Sequence, residues 1–156
     1  MNVLLSNYDI IEICQQLKIN LIKCCFKEEL IGNCQNGCYV INLDNIGGVG
    51  SHWICLYVSG NYACYFDSFG IIYPYEVQRF CKNKTIIYNM NQIQHIDDIH
   101  CGYFCIAFLH YLQYNDNKNM YLNDEMNNFI QHFSNNPSNN LKKLQNYFKT
   151  LYKRLN

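Results

Sequence analysis

The chain has 156 residues, of which 49% are hydrophobic and 15% are charged. This composition suits a packed globular core and excludes intrinsic disorder, and the length fits one domain, which we place at residues 1–156. Twelve basic and twelve acidic residues leave no net charge, so the charge balance argues against binding driven by nucleic acid or by an anionic membrane surface.

The ten cysteines would form a disulfide framework only in a secreted protein. The first residues, MNVLLSNYDIIEIC, have no basic region and only a short apolar run, so they are not typical of a signal peptide. No stretch approaches the ~20 apolar residues of a membrane span. We therefore expect mostly reduced thiols that fill the core, a reducing compartment and no membrane contact.

In the first half of the chain, Ser6 and Asp9 have the spacing of a capping box and predict the start of a helix. Residues 39–43 predict a strand. Two further strands are expected at 52–58 and 62–68, and the short SGN segment between them is typical of a β-hairpin.

In the second half, Pro74 predicts the start of a short helix that ends near Cys81, and residues 85–90 predict another strand. A polar loop leads to residues 101–114, an apolar helix that should be almost fully buried. Two more helices are expected at 121–133 and 138–154. Three or four strands flanked by helices define an α+β domain.

Cys101 is a candidate nucleophile because it lies where the polar loop meets the apolar helix. The free backbone N–H groups and the dipole at a helix start favour a thiolate over a thiol. The alternative is a buried structural cysteine, which is our interpretation of Cys105 one turn later. Gly102 has no side chain and would let a substrate backbone approach Cys101.

His52 and Asp67 are a candidate base and its orienting acid, at the two ends of the predicted hairpin. If the turn consists of Gly60 and Asn61, Asp67 is the diagonal neighbour of His52 on the same face of the sheet, ~7–8 Å away. A three-residue turn would place the two side chains on opposite faces. The alternative is an unrelated strand-end histidine and turn aspartate.

Four other histidines compete for the role of base: His95, His100, His110 and His132. His100 adjoins Cys101, but adjacent side chains at a helix start point apart. His110 and His132 lie within predicted helices, whereas His95 in the loop stays open. His52 is preferred because only His52 has a placed acidic partner.

Gln94 is a candidate oxyanion donor because it lies seven residues before Cys101, in the loop that leads to the helix. Its side-chain N–H and the backbone N–H of Cys101 could together hold the oxyanion of a tetrahedral intermediate. Asn91 and Gln92 are neighbouring alternatives.

A zinc site is a competing hypothesis, since the spacing between Cys34 and Cys38 suits metal ligands. The other two candidate ligands, Cys24 and Cys25, are adjacent in sequence and make a poor ligand arrangement. We therefore expect no metal and no other cofactor.

Four motifs resemble the adenain-like cysteine proteases, the maturation endopeptidases of adenoviruses: GSHW at 50–53, FDSFG at 66–70, Gln94, and CGYFC at 101–105. Relatives of these enzymes occur in Polinton-type elements, virophages and some large DNA viruses, and SUMO-deconjugating proteases are more distant relatives with a similar order of residues. The resemblance extends from about residue 39 to residue 112.

The resemblance implies a papain-like or adenain-like fold: a small central, mostly antiparallel sheet flanked by helices, with the catalytic cysteine at the start of a buried helix. It implies four catalytic residues: His52, Asp67, Gln94 and Cys101. Gly50 in the glycine-rich loop, Trp53 and Gly102 are the predicted substrate-binding residues, and packing beside the site is a further expected role of Trp53.

The resemblance also implies a substrate and a location. The expected partners are capsid or other virion precursor proteins, cleaved after a small residue such as glycine, in the host cytoplasm or viral factory or inside the virion. An activating peptide or DNA is not supported by any cysteine or basic region of this chain. The alternative substrate is a conjugate of a ubiquitin-like protein such as SUMO.

Overall fold

The structure is a computed structural model that describes residues 3–115 and 121–155. Its centre is a sheet of five strands that are adjacent in chain order. The strands are β1 (Leu21–Phe26), β2 (Gly37–Asn42), β3 (Trp53–Ser59), β4 (Tyr62–Phe66) and β5 (Thr85–Tyr88). The helices are α1 (Asn7–Gln16), α2 (Tyr75–Phe80), α3 (Cys101–Asn115), α4 (Leu122–Gln131) and α5 (Asn140–Leu155).

The α+β class is confirmed, and each predicted helix and strand is present with boundaries that differ by a few residues. β1 was not predicted, because LIKCCF mixes exposed and buried positions and includes Lys23 in its middle. The sheet is mixed rather than mostly antiparallel: β1–β2 and β4–β5 are parallel, whereas β2–β3 and β3–β4 are antiparallel.

The hairpin of β3 and β4 has the two-residue turn that brings its far ends into register. Ser59 pairs with Tyr62 across the turn, and Cys55 pairs with Phe66 four positions further along. Gly60 in the turn has φ of +56°, a conformation that glycine adopts without steric cost. The register prediction is therefore confirmed.

Helices cover both faces of the sheet and define two cores. The larger core lies between the sheet and α1, α3, α4 and α5, where the rings of Phe66 and Phe108 stack with centroids 4.5 Å apart. The smaller core lies on the opposite face and includes Val77 of α2 and Tyr65 of β4. Because α3 is buried along most of its length and packs across β3, its first residue is held beside one end of the hairpin.

The N-terminus of α1 has the predicted capping box. Ser6 Oγ accepts a hydrogen bond from Asp9 N at 3.3 Å, and Asp9 Oδ2 accepts one from Ser6 N at 2.8 Å. These two bonds satisfy backbone donors that the first turn of a helix leaves free. Within residues 3–115 and 121–155, none of the helices has both the length and the apolar character needed to cross a membrane.

The cysteines of the zinc hypothesis do not converge. Cys25 and Cys34 belong to the smaller core, whereas Cys24 and Cys38 pack with the larger core on the other face of the sheet. In the part of the chain that the structure describes, no three potential metal ligands cluster. All ten cysteines are free thiols.

Candidate active site

His52 and Asp67 meet at the end of the hairpin, just outside the paired region of β3 and β4. His52 Nε2 lies 2.8 Å from Asp67 Oδ1. The Asp67 side chain is fully buried, and the His52 side chain is 12% exposed. The ring of Phe69 stacks on the imidazole with centroids 4.7 Å apart, which fixes the plane of the ring against the carboxylate.

The backbone of Asp67 is held by Asn89, a buried residue just after β5 that sequence reasoning missed. Asn89 Oδ1 accepts a hydrogen bond from Asp67 N at 2.9 Å, and Asn89 Nδ2 donates one to Asp67 O at 2.7 Å. Asp67 Oδ1 also accepts a hydrogen bond from Phe69 N at 2.7 Å. Asparagine side chains are frequent in this sequence, so no local signal distinguishes Asn89.

Cys101 is the first residue of α3 and hydrogen bonds through its side chain to His52. Burial lowers the pKa of His52, but the hydrogen bonds to Asp67 and Cys101, together with their charges, outweigh burial and raise that pKa to about 9. His52 therefore holds a proton at neutral pH, as the imidazolium partner of a thiolate does.

The remaining histidines have other partners. Asp98 Oδ1 pairs with His100 Nδ1 and also accepts a hydrogen bond from His100 N at 3.1 Å. His110 Nδ1 lies 2.9 Å from the hydroxyl of Tyr147, far along α3 from its first residue. His95 and His132 are partly or fully exposed, and His132 Nδ1 faces a backbone carbonyl of α4. The structure therefore brings only His52, among the five histidines, to both Asp67 and Cys101.

Gln94 is 1% exposed and connects the two segments that carry Asp67 and Cys101. Gln94 Oε1 accepts a hydrogen bond from Ser68 Oγ at 2.5 Å, and Gln94 Nε2 donates one to Asp98 O at 2.5 Å. The amide nitrogen carries two protons, and the Asp98 carbonyl uses one of them. The second N–H can donate a hydrogen bond to an oxyanion.

The alternatives to Gln94 lie outside this arrangement. Asn91 and Gln92 are exposed, and Gln92 Nε2 donates to the backbone oxygen of Gln94 at 3.0 Å. The backbone N–H groups of Ile93 and Gln94 both donate to Ser68 O, at 2.9 and 3.0 Å. The loop is thus fixed to the turn after β4, and the side chain of Gln94 points inward.

A cavity of about 530 Å³ lies between the N-terminal segment and the glycine-rich loop at 46–50, and Ser51 and Trp53, the sequence neighbours of His52, are among the residues that line it. Gly50 lines it, has φ of +86°, and donates its N–H to Asp44 Oδ2 at 3.1 Å. Val49 and Ile46 on the same loop are exposed, and Val49 is 101% exposed. The loop therefore gives the cavity an apolar rim.

Trp53 and Gly102 pack against the N-terminal segment, and their role in substrate binding stays a prediction. Trp53 is 7% exposed, and its Nε1 donates a hydrogen bond to Leu5 O at 3.0 Å. Gly102 is buried, and a Cβ atom there would lie 3.2 Å from Leu5 Cδ1 and 3.4 Å from Trp53 Cδ1. The missing side chain of Gly102 makes room for Leu5, and Trp53 reaches the cavity only as part of its wall.

Several other cysteines are held as protonated thiols by burial. Burial raises the pKa of Cys14 to about 12, that of Cys24 to about 12 and that of Cys25 to about 11. Burial also raises the pKa of Cys105, one turn after Cys101 on α3. These thiols stay protonated at neutral pH, which agrees with their expected role as small core residues.

No protein-family model matches the sequence, and no curated protein matches it either. Among solved structures, the chain is similar to the ASFV pS273R protease, with a TM-score of 0.49 and 16% sequence identity over 72% of this chain. The chain spans 59% of the length of that protease. The functional conclusion therefore rests on the geometry of the site itself.

Proposed function

We propose that the chain is a cysteine endopeptidase. The observation that carries this proposal is the imidazole of His52, which contacts the Cys101 thiol and lies 2.8 Å from the buried Asp67 carboxylate. A nucleophile, a base and a group that orients the base are the parts that thiol catalysis requires. The same order of residues occurs in the adenain-like proteases that the sequence resembles.

Catalysis begins from the ion pair in which His52 holds the proton of Cys101, and the thiolate attacks the carbonyl carbon of the scissile peptide bond. The negative charge moves to the carbonyl oxygen, where Gln94 Nε2 and the backbone N–H of Cys101 donate hydrogen bonds. His52 then gives its proton to the leaving amine, and a thioester joins the substrate to Cys101. Water, activated by His52, hydrolyses the thioester and restores the thiol.

Asp67 keeps the imidazole in the orientation that this sequence of proton transfers needs. Its Oδ1 faces His52 Nε2, so the other ring nitrogen, Nδ1, is directed to the thiol. The carboxylate also offsets the positive charge that His52 carries in the ion pair and in the tetrahedral intermediate.

The proposed substrates are capsid or other virion precursor proteins of a virus, virophage or Polinton-like element, processed in the host cytoplasm or viral factory or inside the particle. The resemblance of the four motifs to adenain-like enzymes supports this choice. The cavity with an apolar rim between the N-terminal segment and the loop at 46–50 is a candidate site for an extended, partly apolar segment.

A second candidate function is the removal of ubiquitin-like proteins such as SUMO from their conjugates, by the same chemistry. It is supported by the His, Asp, Gln, Cys order, which the SUMO-deconjugating proteases share. The two functions differ in what lies before the scissile bond: a folded ubiquitin-like domain in one case and an extended precursor segment in the other.

The test is incubation of the purified chain with a proteome-derived peptide library, with SUMO and ubiquitin fused to a fluorogenic leaving group in parallel. We expect cleavage of library peptides at a defined motif and no reaction with the two fusions. Cys101→Ala should abolish cleavage, whereas Cys105→Ala, a matched change one turn away, should retain it. Cleavage that persists in Cys101→Ala would refute the assignment of the nucleophile.

A further inference from the structure

Two buried polar atoms close to the site lack a hydrogen-bond partner within residues 3–115 and 121–155: the hydroxyl oxygen of Tyr65 and Oδ2 of Asp67. Both side chains are completely buried. A buried hydroxyl or carboxylate oxygen without a partner is unfavourable, and native proteins keep few of them. Two such atoms near each other therefore indicate a shared interaction.

Tyr65 and Asp67 are two positions apart on β4 and its continuation, so their side chains leave the same face of the sheet. Asp67 Oδ1 is occupied by His52 and by Phe69 N, which leaves Oδ2 on the side away from the imidazole. The ring of Tyr65 is held edge-on against Tyr73, with centroids 5.8 Å apart.

The charges around these two groups are consistent with an interaction between them. Burial, followed by the charge of Asp67, raises the pKa of Tyr65, so the phenol stays protonated and can act only as a donor to the carboxylate. The other titratable groups that face the pair are His52, Cys101, Cys105 and, on β3, Cys55. None of these four side chains has a hydrogen bond to Oδ2.

We propose that Tyr65 is a positioning residue whose hydroxyl donates a hydrogen bond to Asp67 Oδ2, directly or through one buried water molecule. This inference rests on the proposed function. The hydrogen bond fixes the rotation of the carboxylate, so that Oδ1 stays aligned with His52. Tyr65 touches neither the thiol nor the substrate, and it acts on the reaction only through Asp67.

The test is the pH dependence of Cys101 alkylation by iodoacetamide in Tyr65→Phe, read by mass spectrometry of the Cys101 peptide. This readout needs no substrate. Without the hydroxyl, the carboxylate is held less firmly against His52 and stabilises the imidazolium less, so the acid limb of the alkylation profile should move up by about half to one pH unit. The ring and its packing are retained in the variant, and circular dichroism verifies the fold.

Two comparisons separate this role from a structural one. Tyr39→Phe removes another buried tyrosine hydroxyl of the smaller core, one that bonds to the backbone of Gln35, and should leave the acid limb unchanged. In an Asp67→Ala background, Tyr65→Phe should cause no further shift. If Cys101 is reactive in the wild type but Tyr65→Phe does not move the acid limb, the role of Tyr65 is overturned and the proposed function is not. A wild-type Cys101 that reacts no faster than the core thiols would overturn the proposed function and this inference with it.

Discussion

Replacing Asp67 by asparagine removes one charge from the site and changes the size of the side chain very little. The amide oxygen can still accept the hydrogen bonds from Phe69 N and His52, so the fold and the turn after β4 should survive. What is lost is the negative charge that helps raise the pKa of His52 to about 9. Burial, which lowers that pKa, remains.

The magnitude follows from the protonation of His52. At pH 8 an imidazole with a pKa of about 9 is ~90% protonated, whereas one at the ordinary value of 6.5 is ~3% protonated. The ion pair of His52 and Cys101 should therefore become up to ~30-fold less populated at pH 8 in the variant, with a much smaller loss near pH 6. The base limb of kcat/KM should move from about pH 9 toward neutral pH.

Two measurements check this expectation: the pH profile of peptide cleavage, and an NMR titration of the His52 ring. Asp98→Asn is the matched control, because Asp98 pairs with His100 and should leave the base limb in place. A base limb that stays near pH 9 in Asp67→Asn would refute the argument that Asp67 holds the proton on His52.

Three further predictions follow from the same geometry. The pKa of His52 is raised on folding from 6.5 to about 9, so His52 should add about 3 kcal/mol to the free energy of unfolding below pH 6.5. This contribution should be lost as the pH rises through 9, and urea unfolding across this pH range measures the loss. Gln94→Ala should lower kcat by ~10²–10³-fold, whereas Gln92→Ala, an exposed neighbour, should change kcat little, and equal losses would argue against an oxyanion role. Asn89→Ala leaves the N–H and C=O of a buried aspartate without partners and should cost about 2–4 kcal/mol in thermal or chemical unfolding, against less than ~0.5 kcal/mol for exposed Asn91→Ala.

The amino-acid sequence determined the features that depend on local rules. Strand alternation and a two-residue turn were enough to place His52 and Asp67 on one face, because parity across a hairpin is set by the length of its turn. The change from a polar loop to an apolar run was enough to place Cys101 at the start of a buried helix. The alternatives for the base and the oxyanion donor could be ranked but not eliminated, since each depends on where a side chain points.

Only the tertiary structure decided the contacts between segments that are distant in sequence. Asn89 is 22 residues from Asp67, and Gln94 is 26 residues from Ser68, so no local sequence pattern predicts either hydrogen bond. β1 pairs with β2 in parallel, and its mixed sequence becomes a strand only because a neighbouring edge is available.

Gly102 shows the same limit most clearly. From the sequence, a glycine after a candidate nucleophile indicates space for a substrate. In the folded chain Leu5 packs against Gly102, and the Leu5 backbone also accepts the hydrogen bond of Trp53. Residue types and local spacing determined which groups could perform the chemistry, whereas long-range packing decided which neighbours hold them, because packing depends on contacts made by the whole chain.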